Sequence, residues 1–158
     1  MDCIECGAEM PPPQPERVPY VCGLPEVYIE NAPVYRCPRC GNYEVSINNV
    51  EALHEALVQC VLGIRRPFLG AEIRFLRKAR GWSSQDTATR MRVKPPTMSR
   101  WENGTQRMSD SMEAFFRLLI REATVATVYD DLPCDDDEGV PRPIRVRLEG
   151  DAWCQAAK

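Results

Sequence analysis

The sequence predicts an α+β protein: a small N-terminal β module built around cysteines, then an all-helical domain, then a C-terminal tail holding a strand. Three observations predict it. Cys3 and Cys6 form one C-x-x-C pair, and Cys37 and Cys40 form a second. Between residues 67 and 122 apolar side chains recur at helical spacing and are interrupted by Gly81, Pro95, Pro96 and Gly104. Near the C-terminus Ile144, Val146 and Leu148 alternate with Arg145, Arg147 and Glu149, the period of a half-buried strand. The expected segments are therefore a cysteine module over 1–47, a linking helix within 48–66, the helical domain over 67–122, and an acidic loop with the strand over 123–158.

In each C-x-x-C pair the two intervening residues let a tight turn aim both thiolates at one cation. The glycine that follows, Gly7 in CIECG and Gly41 in CPRCG, supplies the left-handed backbone such turns use. Four thiolates in a closed tetrahedron leave no position for water or substrate, so the expected cofactor is a structural Zn2+ whose binding energy adds directly to folding. The 30 residues between the pairs leave room for a hairpin, expected over 18–22 and 27–30. The other reading, two unrelated buried or redox thiol pairs, is weakened by the doubled spacing and the paired glycines. Cys22, Cys60, Cys134 and Cys154 lack a paired spacing and are assigned no chemistry.

The linking helix is expected over 49–62, with an apolar stripe of Val50, Leu53, Ala56, Leu57 and Val61. His54, the one histidine, lies in it and is expected at the surface. In the helical domain Leu69, Ile73, Leu76 and Ala79 mark a first helix, which Gly81 stops. Ser83 reads as the N-cap of a second helix over 84–91, with small Ala88 where helices approach closely and a turn at Arg92 and Val93. Pro95 and Pro96 fit only the first turn of a helix, so a third begins there, runs through Trp101 and closes at 102–104. Met98 and Trp101 face its core side. Ser109 caps a fourth helix whose apolar face is Met112, Phe115, Phe116, Leu119 and Ile120.

Charge divides the chain in the same places. The overall net charge is −3, yet residues 1–62 sum to −6, 63–122 to +7 and 123–158 to −4. A basic zone inside an acidic protein is the electrostatic footprint expected of a nucleic-acid site, or simply a solvated face, and motif decides between the two. No apolar run approaches the roughly 18 residues of a membrane helix, and the N-terminal MDCIECGAEM has no signal-peptide pattern, so a cytoplasmic protein without a membrane partner is expected. A lone histidine with no neighbouring base or nucleophile, and no phosphate-binding loop, argues against an enzyme.

The stretch IRFLRKARGWSSQDTATRMRVKPPTMSRWENG resembles the Xre or Cro type of helix-turn-helix, its ending SRWENG most characteristically. The resembling domain covers about one third of the chain. It implies double-stranded DNA as partner, with the third helix in the major groove and Lys94, Pro96, Thr97 and Arg100 at the positions that touch bases or backbone. Arg100 is the expected base reader, since its planar fork can donate two hydrogen bonds to guanine. Lys94, Ser84, Gln85 and Arg107 are expected to hold phosphates. The chain departs from the family where Ser84 replaces the glutamine that opens the second helix, where Arg92 replaces the turn glycine, and at Pro96, which offers only apolar contact.

A two-C-x-x-C module, a linking helix and an Xre-type domain together resemble the MqsA/YgiT-type antitoxin family, as does VYIENAPVYRCPRCG before the second cysteine pair. The resemblance implies a homodimeric repressor of a palindromic operator whose zinc module binds a toxin. Two further readings stay open: a zinc-containing Xre-type regulator with no toxin, and an interaction scaffold that has lost DNA binding. The strand at 144–148 needs a cover for its apolar side, which its own N-terminal module, a second copy or a partner would supply, with Trp153 available as an anchor.

Overall fold

The computed structural model describes residues 1–121, 143–150 and 152–155. They form two compact units, one of residues 1–21, 26–57 and those from 143 onward, the other of residues 22–25 and 58–121. The architecture is α+β, a sheet with a cysteine cluster followed by helices, as the sequence predicts. The acidic run at 134–139 lies outside the described residues.

The first unit is built on five described strands: β1 (Gln14–Pro19), β2 (Val27–Arg36), β3 (Tyr43–Val45), β4 (Ile144–Glu149) and β5 (Ala152–Gln155). Their order is β1-β2-β4-β5, with β3 also paired to β2. Antiparallel β1 lies along one edge of β2. The other edge is shared, parallel β4 taking Val27 to Glu30 and antiparallel β3 taking Val34 to Arg36. Strand β2 therefore organises the sheet, and a bulge lets it do so. Its buried residues are Val27, Ile29, Ala32 and Val34, whose spacing breaks period two between Ile29 and Ala32. There β1 advances from Val18 to Glu16 while β2 advances from Ile29 to Ala32, and Asn31 takes up the extra residue at φ 58°. Asparagine is among the few side chains that tolerate this left-handed backbone. The bulge resets the alternation, so all four apolar side chains share one face.

The expected hairpin forms, but its first strand is displaced toward the N-terminus. Pro15 lacks an N–H and suits the edge position of β1. The ladder ends where the Tyr20 N–H donates to the Val27 carbonyl (2.9 Å), which leaves Cys22 in the turn. The C-terminal strand is covered within its own chain: Val146 lies opposite Ile29 on β2 and is fully buried, and the Trp153 indole N–H donates to the Asn48 carbonyl (3.2 Å).

Helix α1 (Val50–Leu62) starts where the Asn49 side chain accepts the Ala52 N–H (3.0 Å). Leu53, Leu57 and Val61 are buried as expected, joined by Val58, Cys60 and Leu62, while Val50 is exposed. His54 is half-buried rather than free at the surface, its Nε2 2.9 Å from the Tyr20 hydroxyl.

The second unit carries α2 (Gly70–Ala79), α3 (Ser84–Arg90), α4 (Pro95–Glu102) and α5 (Asp110–Arg121). Ile73, Leu76, Ala88, Met91, Met98, Trp101, Phe116 and Ile120 are buried, with Phe75 added and with Ala79 and Phe115 left exposed against expectation. An ionic network secures the segment before α2. The Glu72 carboxylate accepts two hydrogen bonds from Arg66 (2.7 and 2.9 Å) and the Leu69 N–H (2.7 Å). Glu113 accepts the Phe68 N–H (3.1 Å) and bonds from Arg117, which also donates to the carbonyls of Leu62 and Ile64 (2.8 and 2.9 Å). All four charged residues are buried, and each charge has an opposite partner, as low dielectric demands.

Helices α2, α3 and α4 end alike, in paired hydrogen bonds closed by one left-handed residue. After α2 the Gly81 and Trp82 N–H groups donate to Lys78 and Arg77; after α3 those of Arg92 and Val93 donate to Thr89 and Ala88; after α4 those of Gly104 and Thr105 donate to Trp101 and Arg100. The left-handed residues are Gly81, Arg92 and Gly104, at φ 71°, 53° and 71°.

At the start of α2, Gly70 meets the end of α4: a Cβ there would lie 2.3 Å from the Glu102 carbonyl oxygen and 2.9 Å from that of Trp101. In an exposed helix, replacing glycine by alanine stabilises by about 1 kcal/mol. Here Gly70→Ala is expected to destabilise by about 1–3 kcal/mol through overpacking against backbone. Urea unfolding of the full chain checks the sign, and an unchanged or raised midpoint would contradict the close approach.

Candidate nucleic-acid interface and metal centre

The metal centre grows from two matching turns. In the first, the Gly7 N–H donates to the Cys3 carbonyl (2.8 Å) and the Cys3 N–H to Ala8 (2.9 Å). In the second, the Gly41 N–H donates to Cys37 (3.0 Å) and the Cys37 N–H to Asn42 (2.8 Å). Gly7 and Gly41 both have positive φ, 68° and 75°. The four sulfurs lie within 4.8 Å of one another, with Cys3 Sγ 3.6 Å from Cys40 Sγ and Cys6 Sγ 3.5 Å from Cys37 Sγ. A tetrahedron of zinc–sulfur bonds of about 2.3 Å has edges of about 3.8 Å. The four cysteines can hold a metal ion, and all four are free thiols.

Backbone dipoles prepare them for that role. The Cys40 N–H, helped by that of Arg39, brings the Cys37 thiol down to about 6. Cys6 accepts the Ala8 N–H, which favours its thiolate, yet burial and hydrogen bonds with the other three thiols push it up to about 12. Cys40 is raised in spite of the Asn42 N–H, chiefly by its hydrogen bond with Cys37. Cys37 is thus favoured as a thiolate, whereas Cys6 and Cys40 hold their protons more firmly. Met10 and Cys37 are buried in a small apolar cluster with Cys3, against which Cys6, Ala8 and Tyr35 pack.

The second constellation centres on α4. Met98 and Trp101 are buried on one side, as expected, and Glu102 with them. Pro96, Ser99, Arg100 and Asn103 are exposed, positions that share the opposite face at helical spacing. Lys94, exposed, is the N-cap residue of α4, and Thr97 is half-buried. Ser84 opens α3 half-buried, and Gln85 follows it in the open. Ser83 caps α3 as the sequence predicts, its Oγ accepting the Asp86 N–H while Asp86 accepts the Ser83 N–H (both 3.0 Å). The Ser83 hydroxyl, which donates to the Asp86 carboxylate (2.6 Å), and then the Ser83 N–H hold the Asp86 carboxyl below its ordinary value. Arg107 is exposed in the loop after α4, its guanidinium 3.6 Å from the Asp110 carboxylate.

Helix α4 is gripped by α2. Arg77 makes a two-toothed ion pair with the buried Glu102 carboxylate, its second hydrogen bond at 3.1 Å, and donates to the Trp82 carbonyl (3.0 Å). Arg74 donates to the Asn103 side chain (2.9 Å) and the Glu102 carbonyl (3.2 Å). The Glu102 contact holds the Arg77 guanidinium above its ordinary value. In the sequence Arg74 and Arg77 stand between the apolar positions of the first helix and count only toward the net charge of the basic zone. The signal available there was Glu102 itself, an acidic residue beside core Trp101.

The charge of this zone is thereby sorted. Among the described residues, the buried carboxylates Glu72, Glu102 and Glu113 take Arg66, Arg77 and Arg117 as partners. Lys94 and Arg100, by contrast, stand exposed on or beside α4.

Arg77→Ala strands the Glu102 carboxylate against α2 with only the longer Arg74 contact at 3.6 Å. Removing one partner of a buried pair costs about 3 kcal/mol or more, so a drop of that order is expected in chemical denaturation of the full chain. A loss below about 0.5 kcal/mol, the scale of a surface pair, would show that the grip does not matter.

No curated protein and no solved structure matches the chain. Residues 69–119, from the residue before α2 to near the end of α5, match the helix-turn-helix domain family, a type of domain that points to a DNA-binding regulator.

Proposed function

We propose that the protein is a sequence-specific transcriptional repressor that binds a palindromic operator as a homodimer, and that it acts as the antitoxin of a type II toxin–antitoxin system. The observation that carries the DNA half is α4: its core side is locked by Met98, Trp101 and Glu102, and its other side offers Pro96, Ser99 and Arg100 to a groove. Arg100 reads a guanine, Pro96 and Thr97 contact neighbouring groups, and Lys94, Ser84, Gln85 and Arg107 hold phosphates. A dimer follows from the reading of a palindrome, since two recognition helices about 34 Å apart bind it better than one.

The metal is a structural Zn2+ held by Cys3, Cys6, Cys37 and Cys40. All four ligands are protein sulfurs, the donor type and number of closed zinc sites. The toxin half rests on the resemblance to the MqsA/YgiT-type family and on the net −6 of residues 1–62, which suits a basic ribonuclease. A regulator with the same zinc module and no toxin is the second reading. Co-expression with a small basic protein encoded next to it separates the two: a stable complex supports the antitoxin, and free proteins leave a regulator alone.

Elemental analysis is expected to find one zinc per chain, released as pH falls because protons compete for the thiolates. Cys6→Ser is expected to abolish tight retention, and zinc held as tightly by that variant would contradict the assignment. Arg100→Ala is expected to cost about 1–3 kcal/mol at a single base position, whereas Lys94→Ala weakens all sequences alike. Equal losses on operator and random duplex for Arg100→Ala would contradict the base-reading role.

A further inference from the structure

The three helix ends of the second unit compare one residue under matched conditions. Gly81, Arg92 and Gly104 occupy the same place in the same hydrogen-bond pattern, each with positive φ. At this place glycine is favoured because a side chain crowds the following carbonyl. Two of the three ends carry glycine, and the end between α3 and α4 carries arginine. Local stability therefore does not explain the residue there.

Nor does an internal contact. Arg92 is exposed, and its guanidinium makes no hydrogen bond, ion pair or ring contact among the described residues. Other arginines of the domain are engaged: Arg66, Arg77 and Arg117 with buried carboxylates, and Arg90 stacked on the Trp82 ring at 4.5 Å. Arg92 stands two residues before Lys94, the N-cap residue of α4, so a duplex docked against Pro96 and Arg100 as proposed above would bring its phosphates toward this turn.

We infer that Arg92 is a DNA-backbone contact, an arginine kept in a glycine conformation for its charge toward a phosphate. The inference rests on the proposal that α4 reads DNA. A guanidinium at this turn clamps the strand beside the recognition helix and adds affinity without reading sequence.

The test is Arg92→Gly in the full-length protein, with Arg92→Lys beside it. The glycine variant is expected to melt about 2–4 °C higher, since it releases backbone strain. It is also expected to bind operator and random duplex more weakly by the same factor, with a log-log salt slope shallower by about one. Arg92→Lys keeps the charge and is expected to retain the wild-type slope without the gain in melting temperature. If the wild type binds DNA and Arg92→Gly binds it with unchanged affinity and slope, the contact is refuted while the DNA-binding reading stands. If the wild type shows no salt-sensitive DNA binding, both fall.

Discussion

The helical unit depends on one constraint, the fixed approach of α2 to the C-terminal end of α4. Gly70 has no side chain because the Glu102 backbone fills the space a Cβ would need. Arg77 and Arg74 then reach across to Glu102 and Asn103. Steric fit and charge act on the same two residues of α4, so the helix can neither slide nor roll without stranding a buried carboxylate. Its exposed face is set as a consequence: Met98 and Trp101 turn inward, and Pro96 and Arg100 turn outward. A recognition helix needs rigidity of this kind, because base readout depends on side chains presented from a fixed backbone.

The first unit solves a different problem. A module of this size buries little apolar surface, and its sheet is closed by strands from both ends of the sequence. A metal ion held by the four cysteines would supply what the core lacks, and the two glycine-closed turns direct backbone N–H groups at sulfur. The bulge at Asn31 matters for the same economy of core. By restoring the apolar side chains of β2 to one face, it lets a single long strand serve β1, β3 and β4 together.

Much of this was legible in the sequence where the signal is local. The C-x-x-C-x pattern marks both turns because ligand spacing and glycine conformation lie within five residues. Ser83, Pro95 and Gly104 mark helix boundaries for similarly local reasons. What the sequence conceals is pairing at a distance. The period-two pattern at Ile144 shows a strand but not that β2 is its partner, and Val27 to Val34 hides its common face behind a change of parity. Arg74 and Arg77 read as free positive charge until Glu102 is seen to claim them. Charge totals overstate the free cations for this reason: the resemblance already points to Lys94 and Arg100, but that Arg92 has no internal partner among the described residues emerges only when the pairs are known.

The central claim is that α4 presents a sequence-reading face to DNA. Its most direct test is titration of the full-length protein with the duplex upstream of its own coding sequence, against a scrambled duplex of the same composition, at two salt concentrations. The account predicts tight binding that prefers the natural duplex by at least about a thousandfold at physiological salt and weakens steeply as salt rises. Equal and weak binding to both duplexes, or binding indifferent to salt, would contradict it.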